Sequence, residues 1–278
     1  MTIRLITLKN EKMKKIIFPL SLFFVLNNVY AQVGGLSASK LSTLCTEAVP
    51  AQAIEFEPLF AYASATSYFD ENGDIQNLFA TSDSTQFFSA SGFRFSYGLF
   101  KDFEIGVSLP VDVSMVSFGA KYKLPIDGKL TFGVLAGYNS MVGNAIYVRR
   151  RAVHESTSSF VGGLIMTYEI SDKFSMDFNA QYQKHTNITE EGHDQGVFIS
   201  SDFGYYAIED VNFIMGMHYN FKKYDVFENN SHLFTINPGI AIEKAKNFIL
   251  VLNVPIDLLG KNEFQTVGFG LALTIILD

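Results

Sequence analysis

The stretch Phe160–Tyr182, FVGGLIMTYEISDKFSMDFNAQY, decides the fold because it alternates apolar and polar residues on both sides of a short turn. Its second half has an apolar residue at every other position, namely Phe174, Met176, Phe178, Ala180 and Tyr182. Polar residues, including Asp177, Asn179 and Gln181, occupy the positions between them. Successive side chains of a strand point to opposite faces. The stretch therefore predicts a β-hairpin with one apolar face and one polar face.

The same alternation repeats from Ile54 to the end of the chain and predicts twelve strands. These cover about 54–66, 85–99, 103–109, 112–124, 129–139, 160–169, 174–182, 196–208, 211–224, 232–243, 247–257 and 264–277. The connections alternate between tight turns and longer polar loops, with 110–111 as the exception. Short periplasmic turns and longer outer loops are typical of outer-membrane barrels. The pattern predicts an all-β fold, an antiparallel up-and-down transmembrane β-barrel of about twelve strands.

Alternation also occurs in soluble β proteins, so an exported β-sandwich is the alternative fold. Three features favour the membrane. The apolar rows are rich in Phe, Leu, Ile and Tyr, and the opposite rows are rich in Gly, Ser, Thr, Asn and Asp, as expected of a watery lumen. Tyrosines also recur at predicted strand ends, where a ring can be buried in lipid while its hydroxyl stays in water.

The amino-terminal segment predicts export. Residues 13–31, MKKIIFPLSLFFVLNNVYA, combine two lysines, a short apolar run and a small-x-small site that ends at Ala31. This pattern is typical of a cleaved signal peptide, with Met13 as the true start. We therefore expect a signal peptide over residues 1–31, a periplasmic lead-in or short plug over 32–52, and a barrel over 53–278. The expected location is the outer membrane of a Gram-negative bacterium.

Charge and cysteine content exclude some classes of function. Removing residues 1–31 takes away five of the 21 basic residues and one of the 28 acidic residues, which leaves a net charge of −11. Nucleic acid is not an expected partner of so acidic a chain. The single cysteine, Cys45, cannot form an intramolecular disulfide. The expected partners are membrane lipid, lipopolysaccharide and a small solute of unknown identity.

Several charged or titratable residues fall on the predicted inner face. The candidates for lining the lumen are Arg94, Glu104, Lys121, Asp177, Asp202, His218 and Lys222. Opposed charges across a narrow pore can select polar solutes, or they can pair and fill the pore. Arg149, Arg150 and Arg151 lie in a predicted outer loop, where they can bind an anion such as a lipopolysaccharide phosphate or simply be solvated.

The sequence shows no recognisable catalytic or metal-binding motif. His185 and His193 flank an acidic loop, but two such histidines are weak evidence for a metal. No Ser and His are paired on strands in a convincing way, and no nucleophile elbow is present. We therefore expect a protein that is not an enzyme and that has no cofactor.

Residues 93–124 read FRFSYGLFKDFEIGVSLPVDVSMVSFGAKYKL. The motifs are Tyr97-Gly98-Leu99, the strand Glu104–Val107 that leads to Pro110, and Gly119-Ala120-Lys121-Tyr122. This region resembles the core of the phenol meta-pathway transporter-like barrels of the outer membrane. The resemblance implies a passive route for small molecules, including aromatic ones. An outer-membrane hydrolase, and a structural or adhesive barrel that binds partners through its outer loops, are the alternatives.

Overall fold

The computed structural model describes residues 33–37, 41, 43–80, 84–111, 115–141, 158–186, 193–224, 230–245 and 247–277. All the strands belong to one antiparallel sheet. They are β1 (Ile54–Phe69), β2 (Ile75–Asn77), β3 (Gln86–Phe100), β4 (Phe103–Pro110), β5 (Met115–Lys123), β6 (Leu130–Met141), β7 (Ser159–Ser171), β8 (Phe174–His185), β9 (His193–Ile208), β10 (Val211–Tyr224), β11 (Ser231–Ala245), β12 (Phe248–Asn253), β13 (Ile256–Lys261) and β14 (Glu263–Leu277). Within this part of the chain, no helix is long and apolar enough to cross a membrane.

The sheet closes on itself because the first long strand pairs with the last. The pairing of β1 with β14 runs from Ile54 opposite Leu277 to Phe69 opposite Glu263. β12 and β13 both pair with β11 and with β14, so they occupy one position in the wall end to end. β2 is a short extra strand that pairs with the end of β1. The wall therefore has twelve positions, and the prediction of an antiparallel twelve-stranded barrel is confirmed.

The wall position between β11 and β14 is interrupted at Val254 and Pro255, where the sequence predicts one continuous strand. Pro255 has no backbone N–H and cannot donate to the ladder. Two hydrogen bonds still cross the break: the Val254 N–H donates to the Pro238 carbonyl at 2.9 Å, and the Gly268 N–H donates to the Pro255 carbonyl at 2.8 Å. The interruption is thus a local irregularity in a wall that stays connected.

The expectation of a longer polar loop over 258–263 is wrong. β13 extends to Lys261 and β14 begins at Glu263, so Asn262 alone connects them. Asn262 has a φ of 52°, in the left-handed region that Asn tolerates better than most residues. Leu258 and Leu259 continue the strand beyond the predicted boundary at 257.

The two faces of the wall are as the alternation predicts. On β8, Asp177 and Asn179 have no exposed surface, whereas Tyr182 on the opposite face is 47% exposed. Large apolar side chains such as Leu164 and Phe213 are likewise exposed on the outside. An apolar exterior around a closed sheet suits lipid, because a sheet that closes on itself has no unpaired edge strand. This architecture is that of an outer-membrane barrel.

The two rims of the barrel differ. The turn end contains the connections of two to six residues that follow β3, β5, β7, β9 and β11, together with the start of β1 and the end of β14. Asp102 and Asp210 lie in two of these turns with φ values of 64° and 68°. The opposite rim, the loop end, contains most of the longer connections. In outer-membrane barrels short turns face the periplasm and long loops face outward.

Candidate functional site

A segment of chain that precedes β1 lies inside the barrel. We call the described residues of 33–53 the plug. Their backbone N–H groups donate to inward-facing side chains: Val33 to Gln181 Oε1 at 2.8 Å, and Thr46 to Thr167 Oγ1 at 3.0 Å. The apolar residues Val33, Leu36 and Leu44 pack in a buried cluster with wall residues of β6 and β7. Of the two interpretations that the sequence allows, a periplasmic lead-in or a short plug, these contacts favour the plug.

Glycines on the inner wall make room for the plug backbone. An ideally placed Cβ on Gly106 would lie 1.6 Å from the Gly35 carbonyl oxygen, and one on Gly98 would lie 2.1 Å from the Pro50 carbonyl oxygen. Gly35 itself has a φ of 81°, which favours glycine. From the sequence alone, inward glycines are interpreted as the lining of a watery lumen. At these positions glycine instead permits close approach of two backbones.

Glu104 and Lys121 form a fully buried ion pair that holds the plug. Lys121 Nζ lies 3.3 Å from Glu104 Oε1, and neither side chain has exposed surface. Glu104 accepts the backbone N–H of Ser37 at 2.7 Å and that of Val49 at 2.8 Å. Lys121 donates to the Glu47 carbonyl at 2.6 Å. Each charge therefore contacts both its counterion and the plug, which compensates for its removal from water.

Asp202 also binds the plug, and it lies beside a second buried aspartate. Asp177 on β8 and Asp202 on β9 face each other directly across the strands, and both are completely buried. Asp202 Oδ2 accepts the N–H groups of Leu41 at 3.0 Å and Thr43 at 3.1 Å. Asp177 accepts the Thr167 hydroxyl at 2.6 Å. Asp202 thus binds plug backbone in the way that a carboxylate binds a turn of N–H donors.

Arg94 belongs to the wall where the barrel closes. Its Nη2 lies 2.6 Å from Glu55 Oε1 and 2.8 Å from Glu57 Oε2. Thr274 on β14 donates to Glu57 Oε2 at 2.5 Å. These contacts join β3, β1 and β14 from the inside, so Arg94 stabilises the seam between the first and the last strand.

Toward the loop end, the inner charges bind one another. Lys222 Nζ lies 2.8 Å from Glu263 Oε1, which also accepts the Ser231 hydroxyl at 2.8 Å. This group joins β10, β14 and β11. Asp257 accepts the Thr235 hydroxyl at 2.5 Å and the Thr266 N–H at 3.0 Å. These hydrogen bonds and the ion pair all join residues of the wall.

His218 lies on the inner face of β10, directly opposite Ser200 on β9. A nucleophilic serine needs a hydrogen bond to its base. Within the described residues, however, Ser200 Oγ and His218 Nδ1 have no hydrogen-bond partner. The pair thus lacks the contact that would activate the serine. In the same part of the chain, no group of three His, Cys, Asp or Glu side chains could hold a metal ion.

The structure places all seven predicted lumen residues inside the barrel, in separate groups. Glu104, Lys121 and Asp202 contact the plug, Arg94 contacts the seam, and Lys222 contacts Glu263. Arg149, Arg150 and Arg151 lie outside the described residues. The predicted strand ranges leave out Glu263, which lies between 247–257 and 264–277. Asn179 and Ser200 fall on the predicted polar face, but they are not among the candidates for lining the lumen. These inner-face residues could have been identified from the alternation of each strand, because they lie on the same face as the predicted lumen residues.

Comparison with known proteins finds similarity in structure but not in sequence family. No family model matches the chain, and no curated protein matches it. A solved outer membrane channel from Pseudomonas putida F1 is similar in structure, with a TM-score of 0.68 and 13% identity over 84% of this chain and 98% of the channel. The NanC porin has a TM-score of 0.51 with 8% identity over 79% of this chain and 98% of the porin. Both similarities concern the fold of an outer-membrane barrel.

Proposed function

We propose that this barrel is a passive channel for small solutes across the outer membrane, and that the plug obstructs it until the plug moves. One observation carries the proposal: the plug pairs with the wall as a strand beside the start of β1, where Ala51 bridges Gly98. The other polar contacts are hydrogen bonds and buried charges, such as Glu104 with Ser37. A segment held in this way can leave the lumen without breaking the barrel.

The size and chemistry of the lumen support passage of small molecules. A barrel of eight strands is filled by side chains, and one of sixteen leaves a wide aqueous channel. Twelve strands lie between these limits, so the interior holds one extra chain segment here. The inner wall beneath the plug presents polar groups such as Ser96, Ser117 and Thr131. The structural relative from Pseudomonas putida F1 is described as an outer membrane channel, and the proposed function agrees with that description.

The proposal needs no catalytic step. The cross-strand pair Ser200 and His218 gives the hydrolase alternative its best candidate, and that pair lacks a hydrogen bond between its members. Passive passage requires a lumen, an obstruction that moves, and a lipid-facing exterior. We also propose lipid and lipopolysaccharide as the molecules that surround this exterior.

Ion conductance in planar bilayers tests the function. The comparison is between the mature chain and a variant that lacks residues 33–50, both checked for folding by heat-modifiable gel migration. We expect the deletion variant to conduct more and to close less often than the mature chain. If the folded deletion variant conducts no current and takes up no solute, the channel proposal is wrong, and adhesion assays with the intact outer loops become the next test.

A further inference from the structure

Beside the plug, four inward-facing polar residues form a group that the contacts described above leave unused. We infer that Asn179, Ser200, His218 and Asn220 form a binding site for a small uncharged solute that carries both a hydrogen-bond donor and an acceptor. The inference rests on the proposed function and specifies the chemistry of the solute that the channel takes.

Strand register brings these residues together. Asn179 on β8 faces Ser200 on β9, and Ser200 faces His218 on β10. Asn220 follows two positions after His218 on the same face, opposite Phe198. Directly opposed residues of an antiparallel pair have Cβ atoms about 5 Å apart. The four side chains therefore form one compact patch across three neighbouring strands, which begins one row beyond the Asp177–Asp202 pair and includes Asn220 in the following row.

Each of the four side chains has a buried polar atom without a hydrogen-bond partner among the described residues. These atoms are Asn179 Nδ2, Ser200 Oγ, His218 Nδ1 and Asn220 Oδ1. Asn179 and Ser200 are almost completely buried. Folded proteins satisfy nearly all such atoms, so a cluster of them indicates a place for water or a ligand. The amide nitrogen of Asn179 donates, the amide oxygen of Asn220 accepts, and the hydroxyl of Ser200 does both.

The surroundings favour an uncharged solute. The nearest charged groups are already occupied: Asp202 binds the plug N–H groups, Lys222 binds Glu263, and Asp257 binds Thr235 and Thr266. An ion at this patch would lose its water without gaining a counterion, which costs far more than desolvating a neutral amide.

A pair of rings adds a flat surface to the patch. The rings of Phe198 and His218 are stacked with centroids 6.1 Å apart and an interplanar angle of 29°. Aromatic faces favour offset stacking with other planar groups. The combination of a flat apolar surface with a neutral donor–acceptor edge fits a planar amide, of which an aromatic carboxamide is the simplest example.

Three probes of one shape test the inference. Nicotinamide offers a neutral donor and acceptor, 3-acetylpyridine offers an acceptor without the donor, and nicotinate carries a charge. Titration calorimetry in detergent micelles would measure their binding to the mature chain and to the variant lacking residues 33–50. We expect nicotinamide to bind at least about tenfold more tightly than either of the other two, since each lost or unpaired polar contact costs about that factor.

Substitutions locate the binding. Ser200→Ala and Asn220→Ala should each weaken nicotinamide binding by roughly fivefold, the loss of one hydrogen bond. Asn139→Ala is the matched control, because Asn139 also has a buried unpartnered amide oxygen inside the barrel but lies on β6, away from the patch. Its affinity for nicotinamide should equal that of the parent.

The outcomes separate the site from the channel. Equal affinity for the three probes, no binding in the parent and the deletion variant, or equal losses with Asn139→Ala would each overturn the site. If the deletion variant conducts but any of these binding results is obtained, the site is refuted and the channel proposal stands. A folded deletion variant that conducts nothing, yet binds nicotinamide through Ser200, would instead refute the channel and retain the site.

Discussion

Near the turn end of the barrel interior, the buried pair Glu104–Lys121 binds the plug, whereas near the loop end the comparable pair Lys222–Glu263 joins strands of the wall. Glu104 and Lys121 contact Ser37, Glu47 and Val49 as well as each other. Lys222 and Glu263 form a pair of similar burial that joins three strands. Similar ion pairs thus contact the plug in one half of the interior and join strands of the wall in the other. The burial of an ion pair therefore does not by itself indicate whether the pair contacts the plug or connects strands of the wall.

The largest expected effect is that of Glu104→Gln on the plug. The substitution leaves the buried Lys121 without its counterion, which typically costs about 3–5 kcal/mol. Cys45, the single cysteine of the chain, reports the result because it is buried in the plug. Burial raises the pKa of its thiol to about 11, so little thiolate is present at pH 7. We expect maleimide to label Cys45 more than about tenfold faster in the variant.

Glu263→Gln is the matched control for this experiment. It removes the acid of a buried pair at the loop end that has its described contacts in the wall. The labelling rate of Cys45 should stay at the value of the parent chain. If Cys45 is labelled equally faster in both variants, the loop-end pair also holds the plug, and the two halves of the interior do not differ as described.

Gly106→Ala should have the next largest effect. The added Cβ would lie 1.6 Å from the Gly35 carbonyl oxygen, so the plug backbone must shift. Overpacking of this kind costs about 1–3 kcal/mol, and we expect higher conductance in planar bilayers. The control is Gly162→Ala, where the nearest neighbour of the new Cβ is the Leu135 carbonyl oxygen at 3.9 Å. A Gly106→Ala channel indistinguishable from the control would argue against close contact of plug and wall.

A pair of serines gives the smallest effect and the sharpest comparison. The Ser96 hydroxyl donates to the Gly35 carbonyl of the plug at 2.7 Å, whereas Ser200 Oγ has no partner among the described residues. Both serines are buried on the inner wall. Ser96→Ala should cost about 1 kcal/mol and Ser200→Ala less than about 0.5 kcal/mol of stability. Urea unfolding in lipid vesicles would measure both, and a reversed order would contradict the assigned contacts.

The barrel could be predicted from the sequence because strand side chains have a period of two. Met176 and Phe178 alternate with Asp177 and Asn179, and this alternation alone determines which residues face lipid once the sheet closes. The break at Pro255 and the single-residue turn at Asn262 were not predicted. Both depend on the backbone hydrogen bonds between neighbouring strands, which cannot be predicted from the alternation of side chains within one strand.

The contacts of the plug could not be predicted for a different reason. Its bonds to Glu104 and Asp202 use backbone N–H groups of Ser37, Leu41 and Thr43, and every residue except proline has such a group. The segment has no period that would reveal a partner. The inward glycines are compatible with a plug, but a glycine such as Gly106 is equally compatible with a watery lumen, so the sequence does not distinguish the two.

Hydrogen–deuterium exchange of the plug amides tests the central claim most directly. The N–H groups of Ser37, Leu41, Thr43 and Val49 each donate to a buried carboxylate of the wall. In the folded mature chain these amides should exchange at least about a hundredfold more slowly than in an unstructured peptide. They should lose this protection in Glu104→Gln while the strands keep theirs. Exchange at the unstructured rate in the parent chain, with the strands still protected, would contradict a plug inside the lumen.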